Sequence, residues 1–332
     1  ANATGWARWQ LLARASAVAT DLVVRSQTEV VHAFWADEPG WIGSVVKART
    51  GAALVVSLGG GEIAALPSSG FGVDLQTIGP VLVGAALANA DVVTCGSPWL
   101  ARQLASHRWS TCAPTPLVAP LGVDLTVFQA SHEAPKTSKI RAGSDVVVHV
   151  ANLAGVKGHV DLLKAWPAVS RRFPAAQLVL VGAETDRLID LPAGVAGLGE
   201  IAHAKLPEQL RDAAVWVQAS RWESQSVALI EAAACDLRIV GTNVGLLADW
   251  PGAHVCRPGD VEGLADVICS GLLDAQRGVN ADHRHALGAY SLDAAASRWS
   301  SVYTAAIAGA AALATGQQDR YRAAHDRTAT RA

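Results

Sequence analysis

A chain of 332 residues, 51% of them apolar and with a formal net charge of −2, has enough material for two domains with full cores. The near-neutral charge excludes a strongly basic nucleic-acid binder, and the apolar content excludes a disordered chain. Five scattered cysteines with no C-x-x-C pair argue against a zinc site or a disulfide scaffold and fit a reducing, cytoplasmic setting.

No apolar run reaches the roughly 20 residues of a membrane span, and no signal peptide is visible. Methionine is absent even at position 1, which points to a processed, shortened or engineered chain. Residues 6–24 form an Ala-rich helical pattern with Arg8, Arg14 and Arg25 nearby. A solvated face is the plain reading of it. Peripheral contact with the inner face of a membrane is the other reading. A strand over 29–35 runs into a loop at 36–40, followed by a helix over 41–50 and a buried strand over 53–58. That strand opens into Gly59, Gly60, Gly61 and Glu62, where backbone can approach a ligand closely, although a plain turn explains the glycines equally well. A strand over 90–94, a helix over 98–107 and a strand and turn over 117–128 complete the first set.

Residues 129–145 are polar, with Pro135 and Gly143, and read as a linker. A second set follows: a strand over 145–151, a loop over 152–158 and a helix over 159–172 that Pro167 must kink or end. Next come a strand over 177–182, a helix over 206–214 and a strand over 215–218. Asp260 can cap a helix over 261–273, and Ser291 a last long helix. Strands alternating with helices at this spacing indicate parallel, doubly wound sheets. The expected division is a domain over 1–130, a linker over 131–145, a domain over 146–290, and a helix with a polar tail over 291–332.

The rest of the chain is organised around residues 219–250. Glu223 and Glu231 stand eight positions apart, close to two helical turns, so both carboxylates are expected on one side of a helix. Ser224 or Ser226 can cap it, and the N–H groups of its first turn form an anion site. An anion site flanked by two hydroxyl-binding carboxylates suits a nucleotide sugar. Spacing alone leaves open a surface helix with two solvated glutamates.

This stretch resembles the signature of the retaining glycosyltransferases of family 4. The resemblance lies in Glu223, Glu231, Ala232 to Cys235, Ile239-Val240 and Val244-Gly245, with departures at Asp236, Arg238 and Leu246. Residues 148–182 and the turn Leu121-Gly122-Val123-Asp124 resemble the same family, so the likeness extends from about residue 29 to residue 305. It implies a GT-B fold: two Rossmann-like domains facing across a cleft, the N-terminal one on the acceptor side and the C-terminal one binding the nucleotide sugar, here with the first strand unit of the N-terminal domain lacking. It implies a retaining, hexosyltransferase-type transfer from a nucleotide-diphosphate sugar (UDP or GDP) to a sugar, lipid or small-molecule acceptor. No cofactor is expected beyond the donor. No D-x-D motif is present, so no metal is expected either.

By the same resemblance Lys157 and Glu223 are the catalytic candidates, with the Lys157 ammonium against the diphosphate. Glu231 would accept from ribose hydroxyls. Gln225, Ser226 and Val227 would present backbone N–H groups, and Gly182 would line the base pocket. Asn152 stands where the family has an arginine, and Gly59, before Gly60 and Gly61, where many members have a histidine. His32, Asp37 and Glu62 are further candidates. These departures motivate one alternative, a non-catalytic or truncated nucleotide-sugar-binding homologue. An epimerase or phosphorylase of the same fold is another. A Rossmann dehydrogenase is excluded, because no strand is followed by G-x-G-x-x-G.

Overall fold

A computed structural model describes residues 5–130, 145–279, 281 and 283–308. Apart from Asp145, the expected linker lies outside the described residues, as does the polar tail. The chain forms two compact units, one from residues up to Pro120 together with those from Ala296 on, the other Leu121–Ala295.

The first unit runs α1 (Gly5–Ser26), β1 (Val30–Phe34), α2 (Glu38–Thr50), β2 (Ala53–Leu58), α3 (Gly79–Asn89), β3 (Val92–Cys95), α4 (Pro98–Ala105) and β4 (Leu117–Val118). Its four strands lie side by side in chain order and are all parallel. Leu54, Val55 and Val56 are fully buried, the continuous apolar run of a parallel strand covered on both faces. The amphipathic pattern of α1 buries Leu12 and Ser16, and Arg8 pairs with Glu38. The helix expected at Trp41 begins at Glu38 instead, since Pro39 is well accommodated in a first turn. No helix among the described residues is long and apolar enough to cross a membrane.

The second unit runs β5 (Val146–Val150), α5 (His159–Arg172), β6 (Gln177–Val181), β7 (Val195–Gly197), α6 (Leu206–Arg211), β8 (Val215–Gln218), α7 (Val227–Ala234), β9 (Arg238–Thr242), β10 (His254–Cys256), α8 (Val261–Gln276) and α9 (Arg284–Leu287). Its six strands are parallel, in the order β10-β9-β8-β5-β6-β7. One core lies on each face, one around Trp216, Leu229 and Ile230, the other around Leu162, Trp166 and Ile268. Residues 121–130, expected with the first domain, belong to this unit because Val123 and Phe128 are buried in its core. Pro167 does not end α5. Its ring is exposed, while Leu162, Trp166 and Val169 hold both halves of the helix on the sheet. Asp260 caps α8 as expected, accepting from Gly263 N at 2.8 Å.

The last helix, α10 (Leu292–Ile307), is capped by Ser291, whose Oγ accepts from Ala294 N at 3.1 Å. Val302 and Ala306 pack on Val55, Val92 and Leu117 of the first sheet. Tyr303 completes a hydrogen-bonded chain: its hydroxyl lies 3.0 Å from His32 Nδ1, His32 Nε2 lies 2.7 Å from Ser57 Oγ, and Ser57 Oγ lies 2.6 Å from Thr94 Oγ1. Both ring nitrogens of His32 are therefore committed within the fold. Val302 is 1% exposed, so Val302→Ala should cost about 2 kcal/mol of stability in urea unfolding if α10 is integral to this unit.

Candidate functional site

The second sheet begins at its centre. From β5 the chain builds outward through β6 and β7, then returns to the other side of β5 and builds through β8, β9 and β10. The order therefore reverses between β5 and β8. The carboxyl ends of those two strands are where a doubly wound sheet leaves a crevice for ligand. The loops there, 151–158 and 219–226, hold Asn152, Lys157, Glu223, Gln225 and Ser226 among the residues singled out by sequence.

The two loops touch through glycine. Gly158 has φ +72°, and a Cβ there would lie 1.9 Å from the Ala219 carbonyl oxygen, so only glycine fits. Next to it, Lys157 Nζ donates to Glu223 Oε2 at 2.7 Å. The side chains are 28% and 13% exposed, which leaves the ammonium in reach of a ligand. Arg221 fixes the second loop to α5 by a two-pronged bond to Asp161, at 2.8 and 2.9 Å. Gln225, 4% exposed, donates to the Leu121 carbonyl at 3.0 Å and accepts from the Leu121 N–H at 2.8 Å. Its side chain is thus spent on the fold, and only its backbone can face a ligand.

Glu223 is not on the helix, contrary to the spacing argument. Ser226, at φ +75°, interrupts the backbone, and α7 starts only at Val227. Ser226 holds the cap position, yet its hydroxyl makes no cap bond. The first-turn N–H groups of α7, beginning with Val227, have no partners within the helix, and its positive end lies beside loop 219–226. A non-glycine residue held at positive φ in such a loop is strain of the kind that collects at ligand sites. Glu231 lies on α7, 5% exposed, and its Oε1 is 2.6 Å from His203 Nε2. The His203 side chain is 71% exposed, and its ring sits 5.2 Å from Phe128.

Gly182 ends β6 at φ +144°, where a Cβ would lie 2.0 Å from the Ala151 carbonyl oxygen, so the loops after β6 and β5 also touch. Asn152 is exposed in that junction. Lys157, Glu223, Gln225, Ser226, Asn152 and Gly182 thus stand on loops, and Val227 at the start of α7, at one end of one sheet. Gly60 and Gly61 belong to the first unit, after β2. Sequence reasoning missed His203 and the Arg221–Asp161 pair, whose partners are separated by 28 and 60 residues. No spacing rule reaches that far.

A buried imidazole pair lies close to Lys157. His149 and His159 are 2% and 4% exposed, with ring centroids 4.8 Å apart. Burial, then the charge of His159, then that of Lys157 lower the His149 pKa to about 3. Burial, then Lys157, lower that of His159 to about 4. The unfolded chain takes up these protons near 6.5 and the folded chain does not. Stability is therefore full above pH 6.5 and falls as the pH drops toward 4, by up to about 1.4 kcal/mol per pH unit for each histidine. Urea unfolding at pH 7.5 and pH 5.0 should show this loss. It should be smaller in His159→Phe, since neither ring nitrogen of His159 has a partner among the described residues. Removing the Gln225 clamp by Gln225→Ala should cost a further 1–2 kcal/mol, roughly, in the same assay.

Comparison with known proteins agrees with this architecture. The family model "Glycosyl transferases group 1" matches residues 144–274. A glycogen synthase of Mycobacterium tuberculosis is 28% identical over 236 residues, which is 64% of this chain and 56% of the relative, so the match spans little more than half of that enzyme. Among solved structures, a sucrose-phosphate synthase of Thermosynechococcus elongatus superposes with a TM-score of 0.76 at 21% identity, over 90% of this chain and 79% of the other. Anabaena Alr3699/HepE, solved in complex with UDP and glucose, gives a TM-score of 0.67 at 17% identity, over 89% and 81%. At those identities the structures establish the fold, and the family match falls within the second unit and includes Lys157 and Glu223. The chain has the GT-B fold of these structures, and its residues 144–274 match the model of the glycosyl transferases group 1 family.

Proposed function

We propose that the second unit binds a nucleotide-diphosphate sugar and that the chain transfers the sugar to an acceptor hydroxyl with retention of configuration. The observation that carries this reading is the Lys157–Glu223 pair at the point where the strand order reverses, beside the N-terminal end of α7. A departing nucleoside diphosphate gathers negative charge. Lys157 and the α7 N-terminus at Ser226 are the groups placed to stabilise it. An arriving diphosphate competes with Glu223 for the ammonium and frees that carboxylate for the hydroxyls of the donor sugar. Glu231 accepts from the ribose hydroxyls, a role in which the ribose competes with His203. The backbone of Gln225, Ser226 and Val227 supplies N–H donors, and the junction at Asn152 and Gly182 borders the base.

This reading calls for no metal, because the charge on the diphosphate is met by an ammonium and a helix end. UDP and GDP are the favoured carriers, UDP the more so from the ligand of the Anabaena neighbour. One observation favours a second reading, in which the chain binds donor without turnover: Asn152 is neutral where a second cation would strengthen the leaving-group site.

Thermal unfolding with UDP, GDP and ADP tests the proposal. A nucleotide at 100 times its dissociation constant should stabilise the protein by about 2.7 kcal/mol. That shift should vanish in Glu231→Ala and in Lys157→Ala, each measured against its own unliganded state. No shift with any nucleotide would overturn donor binding. A shift without transfer to any acceptor would favour the binding-only reading.

A further inference from the structure

The first unit carries an arrangement that the donor site does not explain. Trp35 follows β1 at φ +75°, a conformation costly for a bulky residue, and its side chain is 57% exposed. The strain is held in place. Trp35 N donates to the Ser57 carbonyl at 2.8 Å. Glu62, 1% exposed, then binds the loops after β1 and β2 together: its Oε1 accepts from Ala36 N at 3.2 Å and from Gly59 N at 2.9 Å.

The indole lies against Gly59. A Cβ on Gly59 would fall 2.3 Å from Trp35 Nε1 and 2.4 Å from Cδ1, so the ring fills the space of any side chain there. Gly59 is not in the left-handed region, so the indole, and not the backbone, requires glycine at this position. Two carboxyl groups stand beside the ring's loop. Oε2 of Glu62 is buried with no hydrogen-bond partner among the described residues, an unusual state for a polar atom. Asp37 is half-buried, two positions after Trp35. Burial pushes both carboxyl groups up from the ordinary range, that of Asp37 further through Glu38 and that of Glu62 through Asp37.

An exposed aromatic face with the half-buried carboxyl group of Asp37 two positions along the same loop matches a pyranose, which presents C–H bonds on one face and hydroxyls at its rim. We infer that Trp35, seated on Gly59 and held by Glu62, is the stacking shelf of a sugar-binding subsite in the first unit, with Asp37 directed at a ring hydroxyl. This deepens the transferase reading, on which its role as acceptor subsite rests, and it makes the acceptor a sugar. The strained backbone keeps the ring presented before ligand arrives.

The test needs no nucleotide. The chain contains 11 tryptophans, so the full chain is labelled with 5-fluorotryptophan, and the Trp35 fluorine signal is identified by its loss in Trp35→Phe. The methyl α-pyranosides of glucose, galactose, mannose and N-acetylglucosamine are titrated, with glycerol as the polyol control. At least one pyranoside should shift the Trp35 signal saturably while glycerol does not. Gly59→Ala, which displaces the indole without demanding a new backbone conformation, should weaken that sugar at least tenfold with the fold retained. A Trp35 signal unmoved by all four sugars, or moved equally by glycerol, overturns the inference, as does an unchanged affinity in Gly59→Ala. The two readings fail separately. Nucleotide stabilisation with a silent Trp35 leaves only the donor site standing, and a sugar-responsive Trp35 without nucleotide stabilisation leaves only the subsite.

Discussion

The second unit depends on holding an ammonium against a carboxylate at the place where its sheet changes direction. Lys157 and Glu223 come from different strand ends, and neither loop alone would fix them. Withdrawing both charges part-way from water is costly, and the pair is maintained only because the backbone around it is over-determined. Gly158 lets one loop lie flush on the other, Arg221 ties the second loop to Asp161, and Gln225 ties it to Leu121. Together these contacts leave one cation, only 28% exposed, in reach of an anion at a prepared position.

The first unit solves a similar problem in the same way. There too a buried carboxylate, Glu62, joins two loops at the carboxyl ends of neighbouring strands through their N–H groups. In both units the residues facing outward sit on loops, while the residues fixing those loops are buried and polar. A site built like this is rigid because its supports are, and glycine appears where the supports must come close.

The parts of this fold that could be read in the sequence were those governed by short-range pattern. The strands β5, β6, β8 and β9 announce themselves as apolar runs bounded by glycine and polar loops, and Asp260 and Ser291 mark helix starts by a rule spanning three residues. β7 and β10 are three residues long and too brief to show a period. Pro167 does not end its helix because the cost of a missing N–H is local, while the burial that outweighs it is tertiary. The spacing of the carboxylate pair did not reveal its geometry. A serine at positive φ has no sequence signature, and so Glu223 moved off the helix. His203 at Glu231, and the indole over Gly59, are contacts that only the folded chain creates.

The return of α10 to the first sheet also orders events in time. The second unit is one continuous stretch of chain, whereas the first is completed only by residues that follow it. During synthesis the sheet β1 to β4 emerges early, yet Val55, Val92 and Leu117 lack their cover until Val302 and Ala306 have left the ribosome. Closing that contact spans most of the chain, and such long-range closure is slow. The nested unit can fold meanwhile as a whole, so the half that emerges first is the half that matures last.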